Sequence, residues 1–395
     1  GLEWVYPDLP VAHPLDGGDA VVQHRDLDAT AAALGPDGAA WKGLFGPLVK
    51  DWQKLLRELL RPIVHVPRHP VVLGRFARHA LRSGRALAEG QFETERGRAL
   101  FAGMAAHAAL PMESVSCAAF GLMLALLGHA VGWPFPRGGA QAIADAVAGY
   151  LAHLGVQVET GHRVTDVDAL PEARAVLLDL TPRQVLRVAG HRLPPLYTKR
   201  LEAYRYGTGV FKVDYALDEP VPWANAAVGR AGTVHVIGTL DELAASERAV
   251  AEGRPPERPF VMVAQHTPFD ASRAPDGHHT LWTYCHVPHD SDFDMTERME
   301  QQLERFAPGF RDRVLERHVW PPSRLEAWNP NLVGGDIYGG QQGLFQLLKR
   351  PVLKLNPYRT ARKGLYLCSS STPPGGGVHG MCGHLAAKAA LKDVL

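Results

Sequence analysis

The most constraining stretch of this 395-residue chain is its closing segment, GLYLCSSSTPPGGGVHGMCGHLAAKAAL, from Gly364 to Leu391. Gly364 to Cys368 reads as a short apolar strand, the Ser/Thr/Pro/Gly run as a loop, and Gly383 to Leu391 as a helix. Gly375, Gly376, Gly377, Gly380 and Gly383 allow a backbone to approach a ligand closely, because no Cβ stands in the way. A helix start behind such a loop presents free N–H groups and the positive end of the helix dipole, which suits an anion or an electron-rich carbonyl edge. On these residues alone a plain turn before a surface helix is the slightly better account, and the ligand site stands beside it.

The rest of the pattern is α/β. Residues 1 to 40 read as short strand-like pieces broken by turns such as Asp16-Gly17-Gly18-Asp19. Residues 41 to 110 read as helical, with Trp52, Leu55, Leu56, Leu59 and Leu60 on one stripe and Pro62 as its stop. Ser114 to Pro136 carries no charged residue. Its Gly, Ser, Cys and His content points to a buried helix beside a greasy cavity rather than to a bilayer span. Gly138-Gly139 then opens a helix through Leu151 that Gly155 closes. Val156 to Glu159 and Arg163 to Val167 alternate as a hairpin, and Ala175 to Leu180 reads as a buried strand. Thr181-Pro182 starts a further helix. Strands follow at 209–217, 259–266 and 278–287, with an amphipathic helix from Met295 to Phe306. Strands interleaved with helices argue for an α/β fold with a mixed sheet from the middle section.

Composition excludes several function classes. Forty-two basic residues face 41 acidic ones, a formal charge of +1, so no nucleic-acid partner is expected. Cys117, Cys285, Cys368 and Cys382 form no CxxC pair and no disulfide scaffold, and the default compartment is the cytoplasm. Gly1 to Pro10 lack the pattern of a secretory signal. His286-Val-Pro-His289-Asp290 is too loosely spaced for a metal, and no metal is expected. Ser369 to Ser371 sit in no Gly-x-Ser-x-Gly elbow. Trp328 to Gly340 is a polar, Gly-rich stretch that reads as a lid or as a plain surface loop.

The closing segment resembles the C-terminal FAD motif of phytoene desaturases and flavin amine oxidases: a strand, a Thr-x-Pro-Gly-x-Gly loop beginning at Thr372, and a helix. In that family the loop and helix start pack on the isoalloxazine ring. The resemblance implies that Pro374, Gly375, Gly377, His379, Gly380 and Met381 line the flavin, with the Met381 N–H as donor to its C2 carbonyl. Pro136 to Val167 is similar to the family's Pro-x-Gly-Gly helix and hairpin, which implies a backbone contact from Val164 to adenine. Ala175 to Pro182 resembles the strand and small-residue-Pro turn near FAD. The family usually opens with strand, GxGxxG and helix. Residues 1 to 100 contain no such unit, whose minimum is about 30 residues, so the chain reads as starting inside a larger fold.

Lys212 matches a lysine that some flavin amine oxidases hold near flavin N5, and would be the catalytic side chain. Equally, it reads as a strand lysine paired with Asp214 or reaching solvent. The resemblance thus implies a discontinuous, Rossmann-like FAD-binding domain from residues 134–190 and 350–395, and a substrate domain from 1–133 (helical) and 191–349 (mixed sheet). The expected activity is removal of hydride from an apolar substrate, with isoprenoid or carotenoid-like molecules as candidates and peripheral membrane contact as a corollary. The alternatives are a truncated or degenerate homologue that binds lipophiles or a partner, and an amine oxidase.

Overall fold

The computed structural model describes residues 1–394. Its strands, in chain order, are β1 (Trp4–Val5), β2 (Leu9–Pro14), β3 (Ala20–Gln23), β4 (Phe135–Pro136), β5 (Val176–Leu178), β6 (Gly209–Leu217), β7 (Ala231–Val236), β8 (Val261–Gln265), β9 (His279–Val287), β10 (Val314–Trp320) and β11 (Leu365–Leu367). Seven of them form one mixed sheet in the order β10-β6-β9-β8-β7-β2-β3. β6 and β9 anchor it through nine register pairs, Gly209 opposite Val287 to Leu217 opposite His279. Their period-two burial puts apolar residues on both faces. Phe211, Val213, Leu281, Cys285 and Val287 point into a core closed by the helix Thr296–Phe306. Val210, Tyr284 and Met262 point the other way, into a larger core under the helices of the first third. Trp41, Phe45, Phe92, Phe101 and Leu122 fill that second core.

Residues 1–40 hold short strands, as read, but these do not stay with the helical part: β2 and β3 extend the sheet of the middle section, and β2 runs parallel to β7, Leu9 opposite Ala231. A parallel pair across more than two hundred residues leaves no local periodic signal. Helices also begin earlier than expected, at Leu27–Leu34 and Gly38–Lys50. The uncharged run forms the helix Cys117–Ala130, which lies against the sheet. No helix among the described residues is long and apolar enough to cross a membrane.

A second, smaller layer holds β5 and β11, a parallel pair with Val176 opposite Leu365. The helices Pro182–Ala189 and Pro195–Glu202 cover one side, and Met381–Val394 the other. The helix Gln141–His153 ends in a Schellman turn: Val156 N–H donates to Leu151 O at 3.0 Å and Gly155 N–H to Ala152 O at 2.9 Å, with Gly155 at φ 76°. The hairpin expected next is not there. Residues 156–166 carry no strand and lie exposed, Val156 and Val158 included. The alternating valines supply propensity, but an isolated hairpin is marginal in water without a layer to cover one face.

Candidate functional site

Where the glycine loop leaves β11, Ser369 Oγ donates to Leu180 O at 2.8 Å and ties the end of one parallel strand to the other. Thr372 does not face a ligand. It is fully buried and donates to Ser369 O at 2.7 Å, so its role is to shape the turn. Gly375 and Gly377 take φ of 112° and 142°, values that L side chains rarely adopt. A Cβ on Gly375 would sit 2.7 Å from Arg350 Nη1, and one on Gly376 3.2 Å from Tyr338 O, so both glycines are dictated by close approach. Pro374 is half-buried, while Gly376, Gly377, Val378 and Gly380 are exposed. The mouth of the helix Met381–Val394 is open: a Cβ on Gly380 or Gly383 would meet nothing within 4 Å. The Met381 N–H, however, is already spent on His379 Nδ1 at 3.0 Å. The expected donor to a flavin carbonyl is thus engaged by the neighbouring histidine, and the next first-turn amides, Cys382 and Gly383, are the donors left at the mouth.

Beside this loop lies the cleft that an extended ligand needs. A cavity of about 1270 Å³ opens between Arg163, Val164 and Thr165 on one wall and Val176 to Leu180 on the other. Val164 therefore reaches the cleft as an exposed extended segment, not as the hairpin strand expected. The cavity exceeds the roughly 300–1,000 Å³ typical of drug-sized ligands, and it runs along the whole of β5 and on to Asp179 and Leu180 beyond its carboxyl end. Arg183 and Arg187 line it. Arg183 gives its Nη2–H to Glu326, another wall residue, and its Nε is buried without a hydrogen-bond partner among the described residues, while Arg187 donates only to the neutral Gln184 Oε1 at 3.3 Å. Arg187 is thus the less engaged cation of the two, and a guanidinium of this kind suits a phosphate-bearing ligand. A smaller cavity of about 170 Å³ shares Asp179 and Asn331 with this cleft and leads to Gly339, Ser369 and Ser370 at the root of the glycine loop.

A third cavity, of about 390 Å³, lies between the helix Cys117–Ala130 and the large sheet. Leu124, Leu127, Trp133, Met262, Trp282 and Tyr284 form its apolar and aromatic walls, with His107 at its side and no Asp or Glu in the lining. His107 Nε2 lies 3.0 Å from His235 Nε2, and burial drives its pKa down to about 3, so it is neutral at physiological pH. Lys212 stands one register away, opposite Tyr284, and over the Trp282 ring at 5.8 Å. It does not line any of the three cavities, and its ammonium is paired with Asp214. Of the two roles read for it, the strand ion pair is the arrangement present.

The stretch Trp328–Gly340, read as a lid or a surface loop, is pinned instead. Asp336 is completely buried and accepts from Gly207 N–H at 2.8 Å and Tyr338 N–H at 2.7 Å. Burial raises its carboxyl pKa in spite of those amides. Arg350, 1% exposed, donates to Gly340 O at 2.7 Å and Tyr204 Oη at 3.0 Å. Tyr338 in turn places its hydroxyl 3.2 Å from His286 Nε2, and His286 Nδ1 lies 2.9 Å from Glu247. Sequence reasoning missed Arg183, Arg187, Arg350, Glu247 and His286. Arg183 and Arg187 did carry a signal, two cations one helical turn apart behind Thr181-Pro182.

The molecule thus sets a small parallel strand pair beside a large mixed sheet, and comparison with known proteins gives the family. The profile of the flavin containing amine oxidoreductase family matches residues 71–388, and the chain belongs to that family. It is similar to the mouse pyridine nucleotide-disulfide oxidoreductase domain-containing protein 2, with 28% identity over 348 residues, covering 77% of this chain and 59% of that protein. The rat protein of the same name is 29% identical over 313 residues, covering 69% and 53%. The chain thus spans less than two thirds of the length of these relatives. Among solved structures, an oxidoreductase from Methanosarcina mazei superposes with a TM-score of 0.58 at 17% identity, over 99% of this chain and 82% of that one. Putrescine oxidase bound to putrescine gives 0.56 at 15% identity, over 99% and 83%. At these identities the likeness is one of fold.

Proposed function

We propose that this chain carries the flavin-ring loop and the substrate cleft of an FAD-dependent oxidoreductase acting on an apolar substrate. The observation that carries the reading is the large cleft along β5, with Arg187 on its wall and with Asp179 and Asn331 shared with the smaller cavity at the root of the glycine loop. Arg163, Arg183 and Arg187 would hold the phosphates, Val164 would lie along the adenine, and the Gly375–Met381 loop with the Cys382 and Gly383 amides would hold the ring. When bound, FAD supplies a two-electron acceptor. The protein's own share is to orient the substrate, keep water out and move a proton. Trp133, Trp282 and Leu124 supply the dry walls for that task.

Expected hydride donors are apolar, isoprenoid-like molecules. An amine is less well served, because an ammonium in an apolar cleft needs a carboxylate and the lining has none. The test is titration of the purified 395-residue protein with FAD, read by quenching of flavin fluorescence, followed by anaerobic addition of phytoene in micelles or of putrescine. Saturable quenching and bleaching by phytoene alone support the proposal. Bleaching by putrescine alone turns it into an amine oxidase. Saturable uptake of phytoene by a protein that does not quench FAD marks a lipophile-binding homologue.

A further inference from the structure

The large sheet carries a buried polar line that no role above uses. His286 in β9 and Glu247 in the helix Leu240–Ala251 are each about 1% exposed at the side chain. His286 Nδ1 is 2.9 and 3.0 Å from the two Glu247 oxygens, and a carboxylate can only accept, so Nδ1 carries the proton. His286 Nε2 is then the acceptor for the Tyr338 hydroxyl at 3.2 Å. Beyond Tyr338 stands Tyr284, whose ring lines the apolar cleft. At its other end, Tyr338 lies with its backbone carbonyl under Gly376 of the glycine loop. A hydrogen-bonded line therefore runs from Tyr338, which neighbours Tyr284 of the cleft wall and braces the glycine loop, to a buried carboxylate.

Stability does not explain it. Burying a carboxylate against a neutral imidazole costs more in desolvation than the hydrogen bond returns, and apolar side chains of the same volume serve a core at least as well. A histidine held by a carboxylate on one nitrogen and presented to a hydroxyl on the other is an arrangement that collects protons. We propose that Glu247, His286 and Tyr338 are the acid–base arm of this oxidoreductase, taking up the proton that a substrate releases in the cleft beneath the helix Cys117–Ala130. The proposal rests on the flavin-dependent reading above.

The chemistry balances. A substrate H–C–X–H, with X carbon, nitrogen or oxygen, becomes C=X by losing a hydride from carbon, which the bound flavin accepts, and a proton from X. That proton passes to the Tyr284 oxygen as Tyr284 gives its own to Tyr338, and Tyr338 gives its own to His286 Nε2. Both phenols are restored, and the imidazolium is held by Glu247. Burial pushes the Tyr284 hydroxyl up to about 12 and that of Tyr338 well above its ordinary value, so both conduct by exchange and neither holds a charge. The other ionisable groups around the arm are His107, which faces His286, Asp336, which faces Tyr338, and Cys117 and Cys285, which face Glu247.

Long-range nitrogen–proton NMR of the flavin-free 395-residue protein tests the arm directly. The expected spectrum shows His286 protonated at Nδ1 alone, with Glu247→Gln moving that proton and Tyr338→Phe shifting only Nε2. A His286 resonance unchanged in both variants overturns the arm whatever the activity. The flavin-loaded protein, bleached by phytoene or putrescine, gives the second readout. Tyr338→Phe should slow bleaching on the order of 100-fold and flatten its pH profile, and Glu247→Asp should recover more rate than Glu247→Gln at an unchanged melting temperature. Full-rate bleaching by Tyr338→Phe with the wild-type pH profile overturns the arm while leaving the flavin reading intact. A wild type bleached by neither probe overturns the flavin reading, and the arm falls with it for want of a proton to receive.

Discussion

The two strand layers of this protein are finished to different degrees. The seven-stranded sheet carries a hydrophobic core on each face, with only its edge strand β10 largely exposed, and Trp41, Phe45 and Phe101 are essentially without exposure. The β5/β11 pair has two strands, and parallel strands are ordinarily buried on both faces in wider sheets. Leu177 in β5 is 38% exposed, and the adjoining helix Gln141–His153 buries no residue. Val147, Tyr150, Leu154, Val156 and Val158 face the open. The seven-stranded sheet stands on its own packing, whereas the β5/β11 pair leaves apolar surface exposed. The cleft lined by Arg187 lies against the sparser layer, and the Glu247–His286–Tyr338 line lies within the denser one.

The largest effect that would break this contrast is a truncation in each layer. Trp41 is fully buried, stacks on Phe45 with ring centroids 4.4 Å apart, and donates its indole N–H to His129 at 2.9 Å. Trp41→Ala should cost about 3–5 kcal/mol and leave His129 without its donor. Leu177→Ala, in the exposed edge of β5, should cost less than about 0.5 kcal/mol. Urea unfolding of both variants checks this. Equal costs would mean that the β5 layer is as well packed as the sheet.

Acid should reverse the order of robustness. Burial holds His13, His129 and His266 down at about 4, and His107 at about 3, against an ordinary 6.5. In the folded protein these rings stay neutral, while in the unfolded chain they take up protons. The unfolded state therefore binds more protons between pH 6.5 and about 4, and folding stability falls as pH drops through that window. At about 1.4 kcal/mol per unit, a ring shifted from 6.5 to about 4 contributes up to roughly 3 kcal/mol, present above 6.5 and lost by 4. All four rings lie in or beside the well-packed sheet and its helical cover. Tryptophan fluorescence, which reports that region, should show melting temperature falling steadily from pH 6.5 downward. A flat profile to pH 4.5 would contradict the neutral, buried state of these histidines.

Much of this was legible in the sequence, for a physical reason that separates the successes from the failures. The β6 and β9 strands, the uncharged helix and the Gly155 stop are local: periodicity and a left-handed glycine set them within a few residues. The β2–β7 pairing is long-range and carries no such mark. The hairpin at 156–167 failed because alternation reports what a strand would bury, not whether a partner exists. In the site, the glycine loop was readable because close approach demands glycine itself at Gly375 and Gly376. Glu247 and His286 were not, since a carboxylate and an imidazole distant in sequence resemble any two surface residues until a helix and a strand bring them to 2.9 Å.

Lys212 gives the smallest effect and the sharpest line between the layers. The sequence offers it equally as a cofactor lysine and as a strand lysine paired with Asp214; in the structure it sits within the sheet, paired with Asp214 and opposite Tyr284. The pair is only partly screened from water, with side chains 20% and 38% exposed, and pairs of this kind contribute up to about 1 kcal/mol. Lys212→Met keeps the apolar stem that lies over Trp282 and removes the charge. It should change unfolding free energy by less than about 1 kcal/mol and leave the FAD titration curve in place. A tenfold loss of FAD affinity in a variant that melts normally would return Lys212 to the cofactor, and would require the sheet and the β5/β11 layer to close on each other when flavin binds.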